Sequence, residues 1–160
     1  MPQLVTISLS TGGMTPVHYE AGERMAHVSP DGRWIAYTGT EGGVLQVYVR
    51  PANASGPVLQ VSTAGGEHPR WGRDGGRLFY RDGQRMNEVV LGSEPTPRVV
   101  RRAMLFADRY ERVGITSYDV TTSGDFVMLQ GDSTGQHIDV LVNATVLARR
   151  SAVLQPVKRE

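Results

Sequence analysis

Val28-Ser29-Pro30-Asp31-Gly32-Arg33-Trp34-Ile35-Ala36-Tyr37 is the stretch that decides the fold. It reads as strand, tight turn, strand. Pro30 fixes φ near the value that a turn's second position needs, Asp31 can bond its own backbone, and Gly32 takes a positive φ without steric cost. The unit returns 43 residues later as Trp71-Gly72-Arg73-Asp74-Gly75-Gly76-Arg77-Leu78-Phe79-Tyr80. It returns again after a further 49 residues as Val120-Thr121-Thr122-Ser123-Gly124-Asp125-Phe126-Val127-Met128-Leu129. The third turn keeps Gly124 but lacks the Pro-Asp pair, so that unit is degenerate.

Strand-like runs spread outward from each turn. Around the first, Ala26–Val28 and Trp34–Tyr37 are followed by Val44–Arg50 and Val58–Ser62, which defines a four-strand unit over residues 25–62. Around the second, His68–Trp71, Arg77–Arg81, Met86–Leu91 and Arg98–Val100 define a unit over 67–100. The third, over 117–150, runs through Phe126–Gln130 to Ile138–Val142, with Ala144–Val153 as a last strand or frayed end. Ahead of them residues 4–19 hold two short extended pieces, a half unit. Residues 101–116 read as an irregular, arginine-rich insertion with room for a short helical turn.

Four short strands in a repeat of 43 to 49 residues is the period of a propeller blade. Each small sheet has two apolar faces that it cannot bury alone, so neighbours must stack. Matched positions supply that stacking: Trp34/Arg77/Phe126, Ile35/Leu78/Val127 and Tyr37/Tyr80/Leu129, with Arg77 marking an edge. The expectation is an all-β chain, one partial β-propeller of about three and a half four-stranded antiparallel blades. A generic β-sandwich is the weaker alternative, because turn, flanking strands and order recur together.

Composition narrows the classes. The chain has 160 residues with 17 basic and 16 acidic side chains, a net charge of +1, so nothing in its charge favours nucleic acid or an anionic membrane. It has no cysteine, which excludes disulfides and thiolate metal sites. No apolar run approaches a membrane span, and the first ten residues lack the basic and apolar regions of a signal peptide. The 19 glycines and 9 prolines suit many turns and short strands.

The repeat, with Gln46-Val47-Tyr48-Val49-Arg50-Pro51 behind it, resembles the TolB-like, WD-type propeller repeats of bacteria. Thr63-Ala64-Gly65-Gly66-Glu67-His68-Pro69-Arg70-Trp71, with Leu78-Phe79-Tyr80-Arg81, is most similar to the propeller at the C-terminal end of bacterial serine/threonine kinases of the eukaryotic type. The resemblance spans about residues 4–145 and implies a non-catalytic interaction, sensor or scaffold module of a larger signalling protein. The alternatives it implies are a propeller that gates a prolyl-oligopeptidase-type hydrolase and a TolB-like periplasmic transport accessory. Such propellers close with six or more blades, so this chain is expected to be a piece of a larger protein or to pair with a second copy into a ring. Location follows the parent: cytoplasmic for the chain alone, extracytoplasmic for the tail of a receptor kinase.

No catalytic constellation stands out. The chain has no Gly-x-Ser-x-Gly nucleophile elbow and no kinase Gly-rich, His-Arg-Asp or Asp-Phe-Gly motif, so no enzyme activity and no cofactor are expected. The histidines His18, His27, His68 and His137 lack ligand spacing. His27 and His68, with Glu67 and Arg70, fall on expected innermost strands and are candidate channel residues; the two histidines could share a metal with Glu67, though satisfied or solvated histidines are the simpler reading. Asp31 and Asp74 are explained by their turns, with calcium ligation as a remote alternative. Arg98, Arg101, Arg102, Arg109 and Arg112 form a candidate docking patch for an acidic partner, or a solvated rim. Asn53-Ala54-Ser55 and Asn143-Ala144-Thr145 match the glycosylation pattern, but chance matches are common and the resemblance is bacterial. The partner, protein or small ligand, is not legible from these residues.

Overall fold

The computed structural model describes residues 5–16, 24–41, 43–53, 55–92, 96–112 and 118–130. His18, His137, the expected strand Ile138–Val142, the Ala144–Val153 segment and Asn143 lie outside the described residues. Within them the chain is all-β and builds a partial, unclosed propeller from two four-stranded and two two-stranded antiparallel sheets.

The first blade is β3 (Arg24–Val28), β4 (Trp34–Glu41), β5 (Val44–Pro51) and β6 (Leu59–Gln60), paired in chain order. The second is β7 (Glu67–Trp71), β8 (Arg77–Asp82), β9 (Arg85–Gly92) and β10 (Arg98–Ala107), again in order. Ahead of them β1 (Val5–Ile7) pairs with β2 (Met14–Pro16), and after them β11 (Tyr118–Val120) pairs with β12 (Phe126–Met128). Strand β7 packs against β3, β4 and β5 on one side and β11 on the other, which makes it the hub of the stack.

Alternation along β4 and β8 explains the stacking, because period-2 side chains serve two faces. Ala36 from β4, Val47 and Val49 from β5, and Leu78, Tyr80 and Val89 from the second blade form one buried core between the blades, sealed by Val61 and Trp71. The opposite face of the second blade sends Phe79 and Met86 against Tyr118, Phe126 and Met128. Phe79 meets Phe126 edge to face with ring centroids 5.0 Å apart. Ile35, Tyr37 and Tyr48 form a third cluster on the other face of the first blade.

Two polar ties run between successive innermost strands. The Trp71 indole Nε1 donates to the His27 carbonyl at 2.9 Å, and the Tyr118 hydroxyl donates to the His68 carbonyl at 2.7 Å. Innermost strands β3 and β7 also share a bulge, between Arg24 and His27 and between Glu67 and Arg70. At each bulge a residue other than glycine takes a positive φ, Met25 at 58° and His68 at 56°. This conformation is strained for L-residues and persists because the flanking pairing fixes it.

The three turns share one hydrogen-bond scheme. Gly32, Gly75 and Gly124 donate their N–H to the carbonyls of Ser29, Gly72 and Thr121, with φ of 73°, 67° and 89°. The outer bond of each loop runs from Ser29 to Trp34, from Gly72 to Arg77, and from Thr121 to Asp125. The third loop is therefore one residue shorter after its glycine, and this corrects the expected columns. Phe126 stands where Leu78 and Ile35 stand, not where Arg77 and Trp34 stand, so Phe126 and Met128 face back onto the second blade. Arg77 is partly exposed beside its turn, as an edge position requires.

A second correction concerns residues 101–116. As far as Ala107 they continue β10, paired with β9 throughout. Two bulges, between Val99 and Arg101 and between Met104 and Phe106, break the alternation and hid this strand from a pattern reading. No helix occurs among the described residues, so none there is long and apolar enough to cross a membrane.

If blade stacking holds the second junction, Phe126→Ala should cost about 3–5 kcal/mol through the cavity it opens. Tyr118→Phe, which removes the hydroxyl that donates to the His68 carbonyl, should cost about 1 kcal/mol. Urea denaturation measures both, and a near-neutral Phe126→Ala would show that the sheets do not stack through this face.

Candidate functional site

The repeat turns carry their own electrostatics. Asp31 Oδ1 accepts from the Ser29 hydroxyl at 2.6 Å and the Arg33 N–H at 3.0 Å, while its Oδ2 pairs with Arg33 Nε at 2.7 Å. The Ser29 hydroxyl oxygen in turn accepts the Trp34 N–H. Asp74 repeats the pattern, with Oδ1 taking the Gly76 and Arg77 N–H groups and Oδ2 pairing with Arg77 Nε at 2.7 Å. The Ser29 hydroxyl and the Arg33 guanidinium hold the Asp31 carboxyl down at about 2. For Asp74, burial pushes upward, but bonds from Arg77 and Gly76 outweigh it and the net shift is downward. In the third turn Thr121 Oγ1 takes over the part of the Ser29 hydroxyl and accepts the Asp125 N–H at 3.0 Å.

Between the first two turns lies a cleft of about 120 Å³. Trp34, Trp71, Leu91 and Pro97 give it apolar walls, Gly75, Gly76 and Gly92 leave backbone accessible, and Asp31, Arg33 and Asp74 stand at its rim. Sequence reasoning missed this site. Its signal was present: a tryptophan directly follows the first turn and another directly precedes the second.

At the other end of β7 a charged network joins the second blade to β11. Arg81 and Asp108 have side chains fully removed from solvent, with Nε 2.9 Å from Oδ2. Arg81 Nη1 also donates to the Glu111 carbonyl, and its guanidinium lies 5.4 Å from the centre of the Tyr118 ring. Arg112 bridges Asp108 at 3.5 Å and Glu67 at 2.7 Å. Burial lowers the proton affinity of Arg81 and raises the Tyr118 hydroxyl strongly.

The expected channel residues separate. His27, Arg70 and Asp119 each sit two residues ahead of a turn's first residue, opposite Ala36, Phe79 and Val127, so they occupy one rung on three successive innermost strands. Burial and the nearby Arg70 lower the His27 pKa, while Asp119 opposes them. His68 instead occupies the bulge, the place of Met25, with Nε2 3.8 Å from Glu67 Oε2. Among the described residues no three His, Asp or Glu side chains converge to hold a metal ion.

The arginine patch also divides. Arg101 pairs with the buried Glu88, Arg102 Nε donates to the Val61 carbonyl at 2.8 Å, and Arg112 belongs to the network above. Arg98 is exposed and lies beside Gly92, and Arg109 is exposed.

These features define a partial β-propeller with an aromatic cleft between two blades. No family model matches the chain, and no curated protein matches it. Among solved structures, TolB from Acinetobacter baumannii is similar over 87% of this chain and 34% of its own, with a TM-score of 0.59 and 19% identity. A putative TolB from Agrobacterium tumefaciens is similar over 64% of this chain and 42% of its own, with a TM-score of 0.46 and 17% identity. The chain thus spans well under half the length of either, and the first of these likenesses establishes the shared fold.

Asp108→Leu should cost about 3–5 kcal/mol, because it strands the buried Arg81, and Arg81→Met in the same chain should restore most of the loss. Both turn carboxylates are depressed in the folded state. Their stabilising contribution is therefore full above the ordinary value of 3.8 and is lost as pH falls, for Asp31 through about 2. A carboxyl carbon titration by NMR should place the Asp31 midpoint there, and a midpoint near 4 would refute the turn geometry (about the unperturbed value).

Proposed function

We propose that the chain is a non-catalytic binding module, a segment of a TolB-like propeller that meets its partner on the rim formed by the repeat turns. The observation that carries this reading is the cleft, where two successive turns, each locked by its own Asp–Arg pair, flank exposed backbone and two tryptophans. A rigid rim built from repeated loops on stacked sheets is a surface suited to recognition. The likeness in fold to a TolB chain supports an accessory of that kind over the tail of a receptor kinase. No observation favours the gate of a hydrolase.

A second reading, assembly of blades from separate polypeptides, draws on the β1–β2 hairpin. Val5, Ile7 and Met14 are 42%, 59% and 70% exposed, and the cross-strand pairing puts them on one side of the hairpin. An isolated two-stranded hairpin is barely stable in water, so this face needs cover.

Cross-linking of the immobilised chain to a lysate, followed by mass spectrometry, tests the first reading. One protein cross-linked through residues 29–33 or 72–77 is expected, and cross-links confined to other surfaces would overturn the rim assignment. Light scattering tests the second. Self-association that rises with concentration and is abolished by Ile7→Lys supports assembly through the hairpin, whereas a monomer at all concentrations excludes it.

A further inference from the structure

We infer that the open edge of β10 takes up an extended, acidic segment of a partner protein as a further strand of the second blade. The site goes beyond the turn rim, since no residue of β10 lines the cleft. Its first ground is the backbone. Strand β10 is ten residues long and stands at the end of its sheet, with β9 as its one strand partner among the described residues. In a paired strand half of the N–H and C=O groups point to the neighbour and half point away. Among the described residues, those of Arg98–Ala107 that point away from β9 meet no donor or acceptor. The first blade ends differently, because its outer strand β6 is only two residues long. A short outer strand offers little edge, whereas a long one is a template for another strand.

Its second ground is what stands on that edge. The two bulges bend β10 near its ends, and between them Arg101–Met104 keeps one unbroken register with Val90–Asn87. A partner strand is therefore matched over Arg101–Met104. Val100 and Met104 are 59% and 54% exposed there, although both are apolar. Charge decides between occupants. Strand β10 carries Arg98, Arg101 and Arg102 and no acidic residue. Glu88 engages Arg101, whereas Arg102 donates to the neutral Val61 carbonyl, and among the described residues no carboxylate pairs with Arg98 or Arg102. Pairing with β10 of a second copy would bring two more uncompensated arginines to the edge and no acid, which is unfavourable. Arg102 and Met104 lie two positions apart and so share a face. A segment with an acidic and an aliphatic residue at the same spacing supplies a carboxylate to the one, cover to the other and backbone partners to both.

Amide hydrogen exchange of the full chain, labelled with nitrogen-15, tests the inference with three probes: Ac-Thr-Val-Thr-Asp-Thr-Asp-NH2, its counterpart Ac-Thr-Val-Thr-Lys-Thr-Lys-NH2, and Ac-Thr-Val-Pro-Asp-Thr-Asp-NH2, which keeps the charge but not the strand. In the free chain one alternate set of amides within Arg101–Met104 is expected to exchange freely. The first peptide should protect that set in a saturable way and leave the indole signals of Trp34 and Trp71 at the cleft unmoved. Arg98→Glu should weaken it about fivefold, and Arg102→Glu at least as much. Both positions are exposed, and thermal melting checks that each variant folds; if Arg102→Glu does not, Arg98→Glu carries the comparison alone. Equal protection by the lysine peptide would overturn the acidic partner, and equal protection by the proline peptide would overturn strand addition. No protection by any probe would overturn both. Amides that are all protected in the free chain would refute the inference too, by showing the edge already covered, with a second copy as the cover if protection rises with concentration. Failure at β10 leaves the rim reading standing, because that reading is tested by contacts at the turns.

Discussion

A four-stranded sheet with two apolar faces cannot stand alone in water, and every other feature of this chain follows from covering those faces. The second blade shows the solution completely. Leu78, Tyr80 and Val89 are sealed by the first blade, and Phe79 and Met86 by the strands that follow. Stacking by hydrophobic contact alone is permissive about rotation and register, since apolar contact has no direction. The ties from Trp71 to the His27 carbonyl and from Tyr118 to the His68 carbonyl remove that freedom, because a hydrogen bond fixes an angle as well as a distance. The bulges at Met25 and His68 fit the same need. They bend each innermost strand where the next blade has to approach it, at the cost of a strained φ.

The turns and the blade order were legible because they depend on local chemistry. Pro30, Asp31 and Gly32 announce their backbone conformation without reference to anything distant, and the hydrogen bonds found there are those their side chains allow. What was not legible depends on counting residues or on distant partners. The third turn is shorter by one residue after Gly124, and in a structure of period 2 one residue exchanges the two faces of a strand. Phe126 was accordingly placed in the wrong column, although its character as a stacking residue was plain. Strand β10 was lost for a related reason, since its two bulges spoil the alternation that would have revealed it.

The site was harder to read, because sequence ranks residues by type and the structure ranks them by neighbour. Arg81 and Asp108 look like surface residues in any pattern, yet they are fully buried together, 27 positions apart. The arginines from 98 to 112 looked like one patch. They became distinct groups because β10 sends Arg101 to Glu88 and Arg102 to Val61 on different faces of one sheet. His27 and His68 looked like equivalent channel residues, but a bulge placed them on different rungs, and Arg70 and Asp119 are the true counterparts of His27.

The two ends of β7 divide the work. At its start, Glu67 and His68 are joined through Arg112, Asp108 and Arg81 to the strands beyond, in an environment where a charge left unpaired is costly. At its end, Trp71 is both a member of the core between the blades and a wall of the cleft. Widening the cleft therefore requires the blades to part, which would expose Ala36, Val47, Val49, Leu78 and Val89 to water and break the tie to His27. The turns are similarly fixed, since Asp31 and Asp74 each bind their loop at several points. A surface held this way pays little ordering entropy when a ligand arrives, so its selectivity comes from shape and charge already in place. The stacking that makes the fold possible is thus also what makes its rim a defined surface.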